Sequence, residues 1–308
     1  MLYFNRNASK NPENRNHPSG FGPDLNDPTL PCRDHLRIHL DKIARPRDLF
    51  ENPEALSEIQ NYIEEEFKSY GYAVRRQAFP FREHTFFNLI AQKNPDASRP
   101  RFVIGSHFDA VPGTPGADDN ASGVAAMLEA ARLVKDSAAN AVINWVAFNA
   151  EEYGMVGSTF YARELKKAGC PIAGMISLEM VGFTNSKKGS QRLPVFLKPF
   201  YPDTGNFLAL VGDDHSKELL KNAKKYFSAV RGLPVESLTV PGKGWVIPET
   251  RLSDHSPFWD EGYPALLVTD TSFFRNPHYH SVHDTIETID LEFLARVTEG
   301  IARFVDSH

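Results

Sequence analysis

RFVIGSHFDAVPGTPGADDNASGVAAMLEAARLVKD, residues 101–136, is the stretch that decides the fold class. It opens with an apolar run typical of a buried β-strand, passes through a turn rich in Gly, Pro and Asp, and ends in an apolar helical segment. Short apolar runs and helical stretches alternate in the same way on both sides of it. This alternation predicts an α/β fold with one largely parallel sheet.

The same periodicities predict the other elements. The first clear helix follows Asn52 as N-cap, has Pro53 at its first position and ends before Gly71. Apolar residues at helical spacing predict a closing helix over residues 291–305. The remaining strands are predicted at 73–81, 85–92, 142–150, 174–180, 206–214 and 264–270, and the remaining helices at 121–136, 157–169 and 216–230.

The domain organisation follows from composition along the chain. Residues 1–34 are rich in Asn, Pro, Asp and Gly, so we expect an N-terminal arm that is disordered or laid over the surface. Residues 35–308 form the predicted domain. Within it, residues 183–206 and 231–257 are rich in Gly, Pro, Lys and Ser, which favours loops above a site.

Composition and charge exclude several classes of protein. With 41% hydrophobic and 24% charged residues, the chain has the balance of a globular protein and not of a disordered or fibrous one. A net charge of −5 argues against a nucleic acid or an anionic membrane as partner. The sequence shows neither a long apolar run nor a signal-peptide pattern, so we expect a cytoplasmic protein. Cys32 and Cys170 are expected to be structural thiols, with one disulfide as the alternative.

Acidic and imidazole side chains gather where predicted strands end. The carboxyl ends of parallel strands lie at one edge of a sheet, so these side chains should converge. Converging carboxylates repel each other unless a cation lies among them, and a mixed set of imidazole and carboxylate ligands suits zinc. A carboxylate can also bridge two ions in a hydrolytic site. The residues concerned are His107, Asp109, Asp118, Asp119, Glu151, Glu152, Glu179 and one of His278, His280 and His283.

Other roles are open for some of these residues. Asp118 and Asp119 could cap the helix that follows them, because carboxylates stabilise helix N-termini. Glu151 and Glu152 could form a solvated charged turn. Glu179 lies in the apolar segment SLEMVG, where an unpaired carboxylate would be costly, so a cation partner is favoured. Spacing alone does not choose among the three late histidines.

Four motifs in order resemble those of the co-catalytic dizinc aminopeptidases of metallopeptidase family M28. They are GSHFDAVPGTPGADDNASGVAAMLE, NAEEYGMVGS, SLEMVG and YHSVHDT, and the resemblance covers roughly residues 85–305. It implies a single three-layer domain with a mixed, largely parallel central sheet flanked by helices. It also implies two zinc ions per chain.

The resemblance also implies roles for individual residues. Glu151 would be the general base, and Asp109 would support the imidazole of His107. Asp118 would bridge both ions and be followed by a cis peptide bond to Asp119. Glu179 stands where the best-known relatives have Asp, and Asp254 is a candidate for supporting the site or contacting substrate. The implied metal ligands are His107, Asp118, Glu152, Glu179 and His280, and Asp119 joins Asp254 as a supporting or substrate-binding candidate.

The predicted function is removal of N-terminal residues from peptides that have a free N-terminus, through hydroxide bridging the two ions. Three alternatives remain: a one-zinc glutaminyl cyclase, a glutamate-carboxypeptidase-like enzyme, and a binding protein without catalysis. Phe273 and Phe274 suggest an apolar substrate pocket. The preferred N-terminal residue, the physiological substrate and the oligomeric state do not follow from the sequence.

Overall fold

The computed structural model describes residues 33–93, 101–137 and 142–307. Nearly all of the predicted N-terminal arm, with Cys32, lies outside these residues. Its last two residues, Arg33 and Asp34, belong instead to helix α1 (Arg33–Ile43), which forms because Leu36 and Leu40 bury one side of it. Cys170 forms no disulfide within the described part of the chain.

A mixed sheet of eight strands forms the middle layer, in the order β1-β2-β4-β3-β5-β10-β8-β9. Its centre is parallel, because β4, β3, β5 and β10 all run the same way. The β1-β2 hairpin, the β2-β4 pair and the β10-β8 pair are antiparallel, whereas β8 and β9 are parallel. The strands are β1 (Ala73–Phe81), β2 (His84–Gln92), β3 (Arg101–His107), β4 (Val142–Phe148), β5 (Ile172–Glu179), β8 (Leu208–Asp213), β9 (Val235–Val240) and β10 (Ala265–Thr269), and a separate two-stranded sheet contains β6 (Asn185–Lys188) and β7 (Thr204–Gly205).

Helices cover both faces of this sheet and complete three layers. Helices α1, α2, α3, α5 and α7 pack over one face, and α4 and α6 pack over the other. No helix of the described residues has the length and apolar composition needed to cross a membrane. The mixed, largely parallel sheet between two helical layers confirms the predicted fold class. The remaining helices are α2 (Pro53–Ser69), α3 (Gly123–Leu133), α4 (Val156–Lys167), α5 (Lys217–Phe227), α6 (Ser256–Asp260) and α7 (Leu291–Asp306).

Burial along the strands reflects the two helical layers. The central strands β5 and β10 are buried almost throughout, because helices cover both of their faces. Successive residues contribute to opposite sides, so that Ile176 and Leu178 join one core and Met175 joins the other. The edge strand β1 is largely exposed. The most buried strands are therefore the ones that end at the site described below.

Two helix boundaries show how local sequence sets the elements. Helix α2 begins at Pro53 and Gly71 follows its end with φ +83°, as predicted, although the Asn52 side chain makes no capping hydrogen bond. Helix α3 begins at Gly123, two residues later than predicted. A Cβ on Gly123 would lie 2.3 Å from Oδ1 of Asn120, so only glycine permits this close approach.

The loop prediction for residues 231–257 is wrong over β9, which pairs in parallel with β8 as the last strand of the main sheet. Its residues are only partly buried, so it carries a weak apolar signal. The other predicted loop, residues 183–206, contains the short strands β6 and β7. Both segments nevertheless line the cavity next to the site.

Candidate active site

The candidate site lies where three neighbouring parallel strands end. Strand β3 ends at His107, β5 ends at Glu179, and the turn after β4 carries Glu151 and Glu152. The strands lie side by side in the order β4-β3-β5, so their carboxyl ends bring these side chains to one edge of the sheet. The structure therefore places these four residues together, as the sequence predicts.

Among the described residues, three groups of side chains could hold a metal ion; two of them are triads that share Asp119, and the third contains His107, Glu151 and Glu152. In the first triad, Nε2 of His107 lies 3.3 Å from Oδ1 of Asp119 and 3.3 Å from Oε2 of Glu179. In the second triad, Nε2 of His280 lies 3.2 Å from Oδ2 of Asp119 and 3.4 Å from Oε2 of Glu152. Each oxygen of Asp119 thus serves a different triad. Of the three late histidines, only His280 belongs to one.

Asp118 belongs to neither triad, so its assignment as the bridging carboxylate is wrong. Its Oδ1 accepts hydrogen bonds from the backbone N–H of Gly182 (2.9 Å) and the hydroxyl of Ser122 (3.1 Å), and its Oδ2 accepts one from the Asn276 amide (2.8 Å). These bonds hold the fully buried carboxylate among other interior groups. The cis peptide bond also lies one residue later than predicted, between Asp119 and Asn120.

Asp109 connects the two loops that follow β3 and β4. Its two carboxylate oxygens accept hydrogen bonds from the backbone N–H groups of Glu151 (3.1 Å) and Glu152 (3.2 Å). One of them also lies 3.5 Å from Nδ1 of His107. Asp109 therefore orients the imidazole and holds the turn with the two glutamates. Oε2 of Glu151 lies 4.0 Å from Nε2 of His107, beside the triads that share Asp119.

Burial and mutual repulsion perturb the charges of the cluster. Burial raises the pKa of Glu152 to about 7 and the pKa of Glu151 well above its ordinary value. Burial lowers the pKa of His280, but hydrogen bonds to Asp119 and Glu152 outweigh it and raise this pKa to about 10. The imidazoles of His107 and His280 beside Asp119 likewise outweigh burial and lower its pKa. The cluster thus concentrates negative charge that a cation would stabilise.

The donor atoms fit divalent cations. Both ring nitrogens of His107, Oδ1 of Asp119 and Oε1 of Glu152 are buried and make no hydrogen bond within the described part of the chain. Buried polar atoms left without partners are costly, so their convergence indicates a ligand. Imidazole nitrogen with carboxylate oxygen is a common zinc ligand set. The residues present therefore fit one cation at each triad.

Asp254 lies behind the cluster and belongs to neither triad. It is fully buried, and this burial raises its pKa to about 7. Its charge in turn helps to raise the pKa of Glu151. The preceding residue, Ser253, donates a hydrogen bond from its hydroxyl to Oε2 of Glu179 (2.9 Å). Ser253 thus holds the carboxylate of Glu179, a member of the first triad.

Two residues that hold Asp119 in position were not predicted from the sequence. The carboxylate of Asp284 accepts hydrogen bonds from the backbone N–H groups of Asp118 (2.9 Å) and Asp119 (3.0 Å). Asp284 lies in the quoted motif YHSVHDT, so a signal for it existed. Arg47 donates to the carbonyl oxygen of Asp119 (3.4 Å). No sequence motif marks Arg47.

An apolar cavity of about 300 Å³ opens beside the triads. Its floor is the face of the sheet formed by β8, β9 and β10, and residues of both predicted loop segments form walls. Phe273 and Phe274 also contact it, in agreement with the expected apolar pocket. Its apolar lining includes Leu193, Leu197, Phe207, Ala209, Val211, Leu238, Ile247 and Leu267.

Comparison with known sequences identifies relatives. The profile of Peptidase family M28 matches residues 88–305, more than two thirds of the chain. The uncharacterized protein YfbL of Escherichia coli (strain K12) is 34% identical over 277 residues, which cover 85% of this chain and 83% of YfbL.

Comparison with solved structures identifies proteins of similar fold. BSAP, a zinc aminopeptidase from Bacillus subtilis, is 27% identical with a TM-score of 0.56, and the match covers 73% of this chain and 50% of BSAP. The chain therefore matches only half the length of BSAP. A glutaminyl cyclase from Porphyromonas gingivalis has a TM-score of 0.66 and 21% identity, over 92% of this chain and 99% of the cyclase, and shows a shared fold. On the family match and these similarities, the chain belongs to Peptidase family M28.

Proposed function

We propose that this protein is a dizinc aminopeptidase that removes N-terminal residues from peptides with a free amino terminus. The observation that carries the proposal is the pair of triads that share Asp119. Membership of Peptidase family M28 and the similarity to a zinc aminopeptidase support it. His107, Asp119 and Glu179 would hold one zinc ion, and Asp119, Glu152 and His280 would hold the other.

Glu151, supported by Asp109, supplies the acid-base chemistry. Bound zinc ions lower the pKa of water and polarise a carbonyl group. Glu151 belongs to neither of the triads that share Asp119, so its carboxylate is available to accept the proton of the attacking water and to pass it to the leaving amine. Asp109 keeps Glu151 in place through its backbone N–H.

The surroundings of the triads favour an exopeptidase that takes apolar residues. Only the first residue of a peptide carries a free α-amine, whose nitrogen is a suitable ligand for a zinc ion held by the triads. The apolar cavity of about 300 Å³ next to them has room for a large side chain. We therefore propose Leu, Met or Phe as preferred N-terminal residues.

The products of a peptide mixture test this function. Peptides that begin with Leu, Ala or Gln, each with an N-acetylated copy, are incubated with the zinc-loaded protein and analysed by mass spectrometry. Stepwise loss of N-terminal residues from the free peptides alone supports the proposal. Loss of ammonia without shortening would indicate a cyclase, C-terminal shortening a carboxypeptidase, and unchanged peptides a binding protein.

Glu151→Gln tests the assigned base. The amide cannot accept the proton of the attacking water, so kcat should fall by about 10²- to 10⁴-fold. Zinc content should stay at the wild-type value, because Glu151 is outside both proposed ion sites. Turnover within tenfold of wild type would reject this role for Glu151.

A further inference from the structure

Arg47 is a fully buried arginine that binds backbone carbonyls. Nε donates to the carbonyl oxygen of Phe108 (2.7 Å), Nη1 to that of Pro115 (2.5 Å), and Nη2 to those of Gly116 (2.9 Å) and Asp119 (3.4 Å). All four acceptors lie on the loop that leads from β3 to the shared ligand Asp119. Arg47 therefore holds this loop along its length.

The loop is shaped to receive a guanidinium group. Gly116 has φ +56°, and a Cβ there would lie 2.3 Å from the carbonyl oxygen of Asp119 and 3.0 Å from Nη2 of Arg47. A planar guanidinium has five donors in a fixed fork, and a lysine ammonium cannot reach the same set of acceptors. Burial lowers the pKa of Arg47, and the carboxylates of Asp119 and Asp109 partly oppose this effect.

Asp48, the next residue, binds the other ligand loop. Its Oδ2 accepts a hydrogen bond from the hydroxyl of Tyr153 (2.6 Å), the residue directly after Glu152. Its Oδ1 accepts from the backbone N–H groups of Phe50 (2.8 Å) and Glu51 (2.8 Å), which fixes the carboxylate. The ring of Phe50 packs edge-on against Tyr153, with centroids 5.3 Å apart.

We propose that Arg47 and Asp48 are positioning residues for the two ion sites, an inference that rests on the proposed dizinc function. Arg47 fixes the backbone at Asp119, which belongs to both triads, and so acts on both sites. Asp48 fixes the backbone next to Glu152, which belongs to the second of these triads, and so acts on the second site. Both residues precede the family match over 88–305, so the family motifs do not assign this role.

Zinc titration of Arg47→Met tests the inference without relying on activity. Both dissociation constants are measured by competition with a chromophoric chelator. We expect both constants to rise about 10- to 100-fold, as when residues supporting metal ligands are removed, because Asp119 belongs to both triads. In a His280→Ala background, which lacks the second site, adding Arg47→Met should still raise the remaining constant.

Further variants separate positioning from loss of folding. Tyr153→Phe removes one hydroxyl and should weaken the second site alone, by less than Arg47→Met does. Arg47→Lys should weaken both sites, because lysine cannot reach all four carbonyls. Arg132→Met is the control, since it removes a partly buried arginine that pairs with Glu129 at the far end of α3. It should leave both affinities unchanged.

The outcomes distinguish the two proposals. Unchanged affinities in Arg47→Met, or equal weakening of both sites by Tyr153→Phe, would overturn the positioning role alone. If Arg47→Met does not fold, Arg47→Lys and Tyr153→Phe decide by the same criteria. A wild-type chain that binds fewer than two ions would count against the dizinc function and the positioning role together.

Discussion

Two adjacent aspartates do different work at the centre of this site. Asp119 presents one oxygen to each imidazole of the two triads, whereas Asp118 accepts hydrogen bonds from Gly182, Ser122 and Asn276. The carboxylate of Asp284 accepts hydrogen bonds from the backbone N–H groups of both aspartates. Two side chains of the same type thus have different roles: Asp119 contacts both imidazoles, and Asp118 accepts hydrogen bonds in the interior.

Asp119→Asn and Asp118→Asn should therefore differ in zinc content. The first change removes charge from both ion sites, so zinc should fall from two ions per chain to one or fewer. The second should keep two ions and lower the free energy of unfolding by about 1 to 3 kcal/mol, because an amide satisfies the buried donors less well. Elemental analysis and urea denaturation measure both quantities, and equal loss of zinc in the two variants would refute the distinction.

At the scale of elements, residues paired across β8, β10 and β5 connect the floor of the apolar cavity to the first triad. Ala209 of β8 pairs with Thr269 of β10, which pairs in turn with Glu179 of β5. Val211 and Leu267 form the next such pair. The cavity floor thus continues the row of residues that ends at Glu179 of the first triad, and side chains on β8 limit the space in the cavity.

Ala209→Trp should change substrate preference. The larger ring fills the floor of the cavity, so kcat/KM for peptides that begin with Leu or Phe should fall about 10- to 200-fold. Peptides that begin with Ala should lose less than about threefold. Lys221→Trp, at an exposed position of α5, controls for the added ring. A uniform loss for all three peptides would show that this cavity does not bind the N-terminal side chain.

His39 on helix α1 contacts Tyr62 on helix α2, because its Nδ1 lies 2.6 Å from the Tyr62 hydroxyl oxygen. Burial lowers the pKa of His39 from 6.5 to about 4, although Glu66 and Glu129 partly oppose this. Between these values the unfolded chain binds a proton that the folded chain excludes. The stability that depends on neutral His39 is therefore complete above pH 6.5 and is lost as the pH falls toward 4.

His39→Gln should remove this pH dependence. The stability advantage of wild type over the variant should shrink by about 2 to 3 kcal/mol between about pH 7 and pH 4.5, as the shift in pKa requires. Urea denaturation of both metal-free proteins at several pH values measures it. An advantage that stays constant over this range would mean that His39 does not titrate as described.

At the scale of the whole molecule, the proposed ion sites tie together distant parts of the chain. Their ligands come from positions between His107 and His280 and from the ends of separate strands and loops. Without cations, the buried carboxylates of these segments repel one another. Bound ions would therefore stabilise the native arrangement as well as supply chemistry.

Removal of zinc should lower the Tm. An ion present at 100 to 1,000 times its Kd adds about 2.7 to 4.1 kcal/mol to the free energy of unfolding, so chelation should lower the Tm by roughly 5 to 15 °C. Differential scanning calorimetry before and after chelation measures the shift. Zinc should restore the Tm and magnesium should not, because imidazole ligands disfavour magnesium. An unchanged Tm would count against tightly bound zinc.

Much of the architecture was predictable because apolar periodicity reports burial directly. The runs that became β3, β4 and β5 are apolar because helices cover both faces, and their ends located His107, Glu151, Glu152 and Glu179. Strand β9 was missed because an edge strand is only partly buried. Arg47 and Asp48 were missed because their partners lie 61 to 105 positions away along the chain.

By itself, the sequence determined the α/β layering and the sheet edge where the chemistry collects, since both follow from local periodicity and from where apolar runs stop. The tertiary structure alone chose Asp119 over Asp118, whereas His280 had already been selected among three histidines by the family resemblance. A shift of one residue in a turn sends a side chain in another direction, and no local pattern sets that direction. Here the backbone is held by long-range hydrogen bonds that Arg47 donates and that the carboxylate of Asp284 accepts.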